Sequence, residues 1–512
     1  MTLAAQLRAC GVSCVQVDKA AGTTQLSKAL VVWARSLELL DLCMESQDIV
    51  AAGLPVEHAQ FFAHNEPLAS VDFRGAESRF GAGVMLPQSE TERLLEAHLN
   101  SAGHVVRWNT ELVAFQQHEQ GVDGQLLLPD GSNEAVHAKW LVGCDGAHSI
   151  VRHTLDLPFH GEVDMHRWML ADVHASGNLP QGQIIVCWHP AGVLILFQIA
   201  ANRYRVIAEL PLDNADEPRR DPTLEDIQSY IDQRGPGSIE VSEPVWLTEF
   251  RINERMVDRY CVGRAILAGD AAHVHSPAGG QGMNTGMQDA VNLAWKLAWM
   301  TCGVAGPSLL ESYSVERSSI GEQVVRNASR ITRAATLKSP AMQFLRNSLA
   351  RVALHFQCPQ DFARDTLSEL TICYPDSPIA GEDSRRRSGK LRLGDRVPDV
   401  TWLDAGGAPQ SLYRRLEGGR GAVVSWGAPG PLAARMAAEL PSAWQGMFAA
   451  IDLIDGEIPS TAGPSVGRAT EEEITHLGLT VPAVLIVRPD GYLAAAGNCS
   501  NADLLSAWIE KI

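Results

Sequence analysis

One run of this chain combines residue types that could do chemistry: Gly263-Arg-Ala-Ile-Leu-Ala-Gly269-Asp270-Ala-Ala-His273-Val-His275-Ser-Pro277-Ala-Gly279-Gly280-Gln281-Gly282-Met283-Asn284-Thr285-Gly286. The pattern predicts a strand ending at Gly269-Asp270, a glycine-rich loop, and a helix to about Met300 with Leu293, Ala294, Leu297 and Ala298 on one face. A carboxylate at the strand's end can accept hydrogen bonds from a polyol chain. Small residues at 279, 280 and 282 let backbone N–H groups and the positive end of the helix approach an electron-rich planar ring. His273 and His275 stand close to Asp270, but no third ligand accompanies them in a metal-binding spacing, so no metal site is expected.

A second cluster, Cys144-Asp145-Gly146-Ala-His-Ser149-Ile-Val-Arg152, follows the apolar segment Ala138–Gly143. It predicts a buried strand turning into a helix, with the Asp145 carboxylate at the turn. The chain opens with Leu3, Leu7 and Cys10 at helical spacing, a stop at Gly11, and a β-branched run from Val12 to Val17 that ends at Asp18. In a dinucleotide-binding unit an acid in that place takes a ribose hydroxyl about 20 residues after a glycine-rich turn. Counting back from Asp18 lands before Met1, so this reading starts the chain inside the first helix of such a unit. The same residues also suit an ordinary amphipathic helix on an ordinary strand. Arg35, opening a helix from about Ser36 to Met44, could reach a phosphate or remain a solvated charge. Gln88 precedes a helix from Ser89 to Asn100.

Other elements must position these groups. Between about 166 and 252 the pattern changes to strands (Trp168–Val173, Ile184–Trp188, Val193–Ile199, Tyr204–Leu210, Val245–Phe250), read as an inserted antiparallel sheet. On it, Trp188, His189, Phe197 and Tyr204 suit either a substrate cavity or ordinary sheet packing. A Ser/Arg-rich linker at Ser384–Ser388 precedes a further unit with a strand at Gly421–Trp426, a helix at Pro431–Leu440, a strand at Val481–Val487 and a turn at Arg488–Tyr492.

Taken together, residues 143–152 and 263–298 resemble the single-component FAD-dependent aromatic hydroxylases of the phenol hydroxylase and para-hydroxybenzoate hydroxylase group. The resemblance implies an α/β fold: a Rossmann-like FAD-binding domain, an inserted antiparallel-sheet substrate domain and a C-terminal thioredoxin-like domain. The expected division is 1–165 and 253–345 for the FAD-binding domain, with part of 50–88 joining the substrate domain at 166–252. A helical segment and linker at 346–389 then lead to the thioredoxin-like domain at 390–512. The family's GxGxxG would stand just before Met1, so the FAD-binding domain is read as N-terminally truncated, without its first strand. A flavin-free pseudo-enzyme is the alternative that this raises.

Family roles follow by resemblance alone. Asp18 would bind the adenosine ribose with Lys19 beside it, and Arg35 and Gln88 would contact the pyrophosphate and ribityl region. Asp145 would serve FAD and NAD(P)H binding, while Gly269 and Asp270 would hold the ribityl hydroxyls. Pro277, Gly279, Gly280, Gln281, Gly282, Met283 and Asn284 would line the isoalloxazine. The implied reaction is NAD(P)H reduction of FAD, capture of O2 as a C4a-hydroperoxide and oxygen transfer to a phenolic, aryl-acid or polyketide ring. No side-chain nucleophile is needed and no catalytic base is named. Oxidation of a non-aromatic substrate on the same scaffold is a further alternative. The thioredoxin CxxC position holds Gly427-Ala-Pro-Gly430-Pro431, and Cys499 is remote, so packing or homodimerisation is expected of that domain rather than disulfide exchange.

Composition narrows the classes. A net charge of -18 opposes phosphate backbones and anionic lipids, which argues against nucleic acid and membrane partners. Ten cysteines without regular spacing, no leader-like N-terminus and no long apolar run fit a cytoplasmic protein.

Overall fold

The computed structural model describes the chain except residues 26, 180–182, 211–221, 278, 384–390, 457, 459–462, 471–473 and 475–481. The expected linker at Ser384–Ser388 and the start of the strand expected at Val481 lie outside the described residues.

A largely buried helix at the centre, Gly282–Thr301, organises the rest. Its apolar residues leave little surface for water, so neighbours cover every side. Leu293, Ala294 and Leu297 pack with Leu7 of the opening helix Thr2–Ala9 and with Ala265, Ile266 and Leu267. Ala265–Leu267 runs parallel to Leu141–Gly143, in register Ala265 to Leu141 and Leu267 to Gly143. The run from Val12 to Val17 differs from expectation: it forms one parallel bridge, Val17 with Arg107, and no ladder. Val15 stands 67% exposed. β-branched residues favour extended backbone, but a strand also needs a neighbour along its length.

The largest sheet has eight strands, ordered 273–274, 239–256, 160–177, 203–209, 192–200, 183–189, 58–63 and 66–72. All pairs are antiparallel except Gln183–His189 with His58–Ala63. One face packs on the helix Leu224–Arg234, which the sequence reading had not separated from the strands; Ile227 and Ile231 bury there against Met169, Leu194 and Val206. The opposite face, with Ile184, Val186, Ile195 and Phe197, meets Leu30, Val31, Trp33 and Phe73. A separate three-stranded sheet spans 111–138. No helix among the described residues is long and apolar enough to cross a membrane.

The C-terminal region holds a seven-stranded sheet in the order 409–411, 401–404, 466–468, 448–454, 421–426, 483–487, 493–498. Gly421–Trp426 is parallel to Phe448–Ile454 and antiparallel to Ala483–Val487. Its two faces bury Trp402, Trp426 and Leu453 on one side and Trp444, Phe448 and Trp508 on the other. The latter side packs directly on Trp295 and Trp299 of the central helix. All ten cysteines are free.

Candidate functional site

The Gly269-Asp270 turn is held from behind. Gly269–Ala271 forms one 3-10 turn after the strand, with Gly269 at φ +60. A Cβ on Gly286 would come within 3.3 Å of the Gly269 Cα, so helix and turn approach as only glycines allow. The Gly269 N–H donates to Asp289 Oδ2 at 2.9 Å. His273 Nε2 lies 2.8 Å from the same oxygen, and Arg317 Nε donates to Asp289 Oδ1 at 2.6 Å. Asp289 is fully buried; burial alone would raise its pKa, but Arg317 and His273 hold it below the usual carboxylate range. A structural carboxylate thus fixes the backbone that presents Asp270.

Asp270 itself is exposed, and its carboxylate has no hydrogen-bond partner among the described residues. Although the side chain keeps access to solvent, the protein atoms crowded around it desolvate the carboxyl and push its pKa up, while the charges of His273 and Lys28 pull it back. A carboxylate with free acceptor positions in such a cleft suits a ligand rich in hydroxyls. Close by, the 279–284 loop is tied to the strand Val31–Trp33. Asn284 is fully buried, accepts from Trp33 N at 2.9 Å and donates to Val31 O and Gly280 O. Trp33 Nε1 donates to Gly279 O at 3.0 Å, and Gly280 adopts φ +64 against Val31. Gln281 is buried, with Nε2 directed to Thr366 O, and its carbonyl accepts from Thr285. Gly282 and Met283 open the helix; a Cβ on Gly282 would meet His275 Nε2 at 3.5 Å. His275 Nε2 is buried without a partner among the described residues, and burial lowers the imidazole pKa to about 4. Pro277 is exposed at the loop's start.

The other expected residues divide. Asp145 is exposed at its turn and accepts from Val151 N, while Ser149 caps the helix Ile150–Thr154. Arg152 ties that motif to the first one by donating to Ala271 O at 3.1 Å. Gln88 accepts from Ala29 N and donates to Glu92, pinning the segment that carries Lys28. Asp18 is exposed and closes its own turn through Ala20 N; Lys19 pairs loosely with Glu111.

Arg35 is a correction. It is completely buried, donates to Tyr413 Oη at 2.6 Å and to Asp490 O at 2.7 Å, and pairs with Glu38. Every partner but Glu38 belongs to the C-terminal region, so the guanidinium joins two parts of the protein and cannot reach a pyrophosphate. Arg35→Lys is expected to lower the melting temperature, since lysine lacks the planar fork, yet to leave the FAD dissociation constant within about threefold, a change of under 1 kcal/mol. A flavin titration alongside a thermal melt separates the two roles.

Three residues at the site escaped the sequence reading. Lys28 carries no local signal beyond heading the apolar run Ala29–Ala34. Asp289 could have been found as a lone acid on the buried face of the helix. Glu369 carried no signal: it is fully buried, adopts φ +62, and accepts from Gln288 Nε2 at 2.5 Å. Burial pushes its pKa up to about 8. With the folded pKa above the unfolded one, the protonated acid contributes stability that is complete below pH ~4.3 and is lost as pH rises through about 8. Glu369→Gln should therefore match the native protein near pH 4 and exceed it by roughly 4 kcal/mol at pH 8 in urea melts.

The profile of the FAD binding domain family matches residues 1–328. The chain is 32% identical over 99% of its length, and 96% of the relative's, to the 12-dehydrotetracycline 5-monooxygenase/anhydrotetracycline 6-monooxygenase of Streptomyces rimosus. It is 30% identical to pentachlorophenol 4-monooxygenase of Sphingobium chlorophenolicum over 76% of this chain and 72% of that one. The solved structure of OxyS anhydrotetracycline hydroxylase from Streptomyces rimosus superposes with a TM-score of 0.77 at 28% identity, covering 100% of this chain and 96% of that chain. The chain belongs to the FAD binding domain family. It is an FAD-dependent aromatic-ring monooxygenase.

Proposed function

We propose that this protein hydroxylates a fused-ring, polyketide-type phenol, with NAD(P)H as reductant of its FAD and O2 as oxidant. The observation that carries this substrate class is the 99% span of the match to a tetracycline-ring monooxygenase, which runs through the inserted sheet as well as the FAD-binding part. When bound, FAD supplies the two-electron chemistry and activates O2.

The chain's own groups bind and orient. Asp270 would accept from the ribityl hydroxyls, with Lys28 opposite to balance its charge. The 279–284 loop, braced by Asn284 and Trp33, would present N–H groups to the electron-rich edge of the ring. Asp18 and Lys19 would take the adenosine ribose, and Gln88 would hold the Lys28 segment in place rather than touch the ligand. Asp145 would serve where nicotinamide and flavin meet. The apolar sheet face with Ile184, Ile195 and Phe197 would exclude water from the aromatic substrate.

The test is NADH and NADPH oxidation by FAD-loaded protein, with a tetracyclic phenol and a simple phenol as substrates and mass analysis of products. Gain of one oxygen by the tetracyclic ring is expected. Hydroxylation of the simple phenol alone would overturn the substrate class, and nicotinamide oxidation with no ring oxygenation would favour action on a non-aromatic substrate.

A further inference from the structure

The separate three-stranded sheet consists of Glu111–His118, Gly121–Leu127 and Asn133–Ala138, and it carries three exposed groups that the flavin site does not use. His118 ends the first strand, Asp123 lies on the middle one and His137 on the third. In register, Asp123 stands opposite Gln116 on one side and His137 on the other. Side chains two apart along a strand share a face, so His118 joins Asp123 and His137 on one face of the sheet. His137 Nδ1 is 2.8 Å from Asp123 Oδ1, and His118 Nε2 is 3.6 Å from Asp123 Oδ2. The hydrogen bond from His137 and the nearby charge of His118 hold the Asp123 carboxyl below its ordinary range, so it is ionised. The two imidazoles stack side by side, with centroids 5.4 Å apart and planes 18° from parallel. Gly121, the partner of His118 in register, makes room for this: a Cβ there would lie 2.6 Å from His137 Cε1.

We propose that His118, Asp123 and His137 form a binding site for one divalent transition-metal ion of the zinc, nickel or copper kind, with water in the remaining positions. An exposed carboxylate gains little from pairing with a histidine, and two protonated imidazoles side by side would repel. A single ion satisfies all three groups at once. Ligand bonds of about 2.0–2.1 Å at tetrahedral angles set neighbouring ligand atoms about 3.3 Å apart, between the two distances found here. One donor atom from each residue falls within 4.8 Å of the others, and among the described residues no other trio of His, Cys, Asp or Glu meets in this way. Coordination through His118 Nε2 puts the ring proton on Nδ1 and gives up only a long contact, 3.3 Å, from Gln120 N. Two imidazoles and one carboxylate select such ions over Mg2+ and Ca2+, which prefer oxygen ligands throughout.

The ligands are also held in advance. Arg264 donates to Glu119 O through Nε at 2.9 Å and Nη2 at 2.5 Å, and to Lys139 O through Nη1 at 3.2 Å. Its backbone N–H donates to Gln117 Oε1 at 2.6 Å. The segments that carry His118 and His137 are thereby tied to the strand Ala265–Leu267, which leads to Asp270, and a bound ion would brace that strand from outside. The site stands apart from the residues assigned to the adenosine ribose: Glu111, the neighbour of Lys19, opens the strand that His118 closes, a span of roughly 23 Å.

The experiment is calorimetric titration of the tag-free, FAD-loaded, full-length protein, first cleared of metal by a chelator, with Zn2+, Ni2+ and Mg2+ in turn. One Zn2+ or Ni2+ per chain is expected, saturating below about 100 μM free ion, with Mg2+ far weaker. His118→Ala and His137→Ala should each weaken binding about 100-fold or more, beyond the 10–100-fold typical of groups that only support a ligand. The same two variants should keep the flavin content of the native protein. Absence of saturable Zn2+ and Ni2+ binding in that range would overturn the proposal and leave the cluster an exposed ion pair only. Binding that survives intact in His118→Ala/His137→Ala would also overturn it, by assigning the ion to other groups such as the free thiols, as would Mg2+ binding equal to that of Zn2+.

Discussion

Arg488→Met should destabilise the folded protein by about 3–5 kcal/mol, the usual cost of removing one partner from a buried charged network. Arg488 Nη1 donates to Glu316 Oε1 at 2.6 Å, and Nη2 donates to Glu316 Oε2 at 2.9 Å and Asp490 Oδ2 at 2.6 Å. Glu316 also receives Lys296 Nζ at 2.7 Å, Asn292 Nδ2 at 2.8 Å and Ser377 Oγ at 2.5 Å. Burial alone would raise the Glu316 pKa; Arg488 and Lys296 reverse that and hold it far below the normal range. Without Arg488, two carboxylates lose their main counterion where water cannot replace it. The contrast is Arg414, which bridges the same two regions to Glu45 at 3.3 Å but in solvent. Arg414→Met should cost at most about 1 kcal/mol. Equal effects of the two substitutions in urea melts would refute this account of the interface.

Asp270→Ala is expected to raise the FAD dissociation constant about 100-fold, near 3 kcal/mol, through loss of hydrogen bonds to a charged acceptor. The ligand-free protein should lose no stability. Because desolvation raises the folded pKa of Asp270, the ionised group opposes folding at neutral pH, and its removal is neutral or favourable. Asp289→Asn should behave differently, weakening flavin binding and the fold together, because Asp289 anchors the Gly269 N–H and Arg317 at once. Fluorescence titration with FAD beside thermal melts gives both quantities. Unchanged flavin retention in Asp270→Ala would remove Asp270 from the site.

The groups legible in the sequence are those whose neighbours lie close along the chain. Gly269, Asp270 and the 279–284 loop sit within one strand, loop and helix, so spacing alone placed them. Arg35 was misread because its partners Tyr413 and Asp490 are 378 and 455 positions away, and no local pattern records them. Val12 to Val17 carried the composition of a strand, but hydrogen-bonded neighbours decide that state. Lys28 comes within electrostatic range of Asp270 only through folding, and the left-handed backbone of Glu369 follows from its surroundings. The inserted sheet was visible in its alternating strands, but the addition of 58–63 in a parallel pairing with 183–189 depends on contacts between distant segments.

The placement of the aromatic residues gives the protein two optical reporters. Trp299 lies 4.9 Å from Trp295, 5.2 Å from Trp444 and 6.3 Å from Trp508, so four of the twelve tryptophans meet where the central helix touches the C-terminal sheet. Trp33 sits apart, with its indole nitrogen bonded to the 279–284 loop. Emission from the cluster would shift to longer wavelength when that contact becomes wet, whereas a ring seated on the loop would quench Trp33. Separation of the two regions and filling of the site therefore carry different fluorescence signatures, readable in the native chain without an added label.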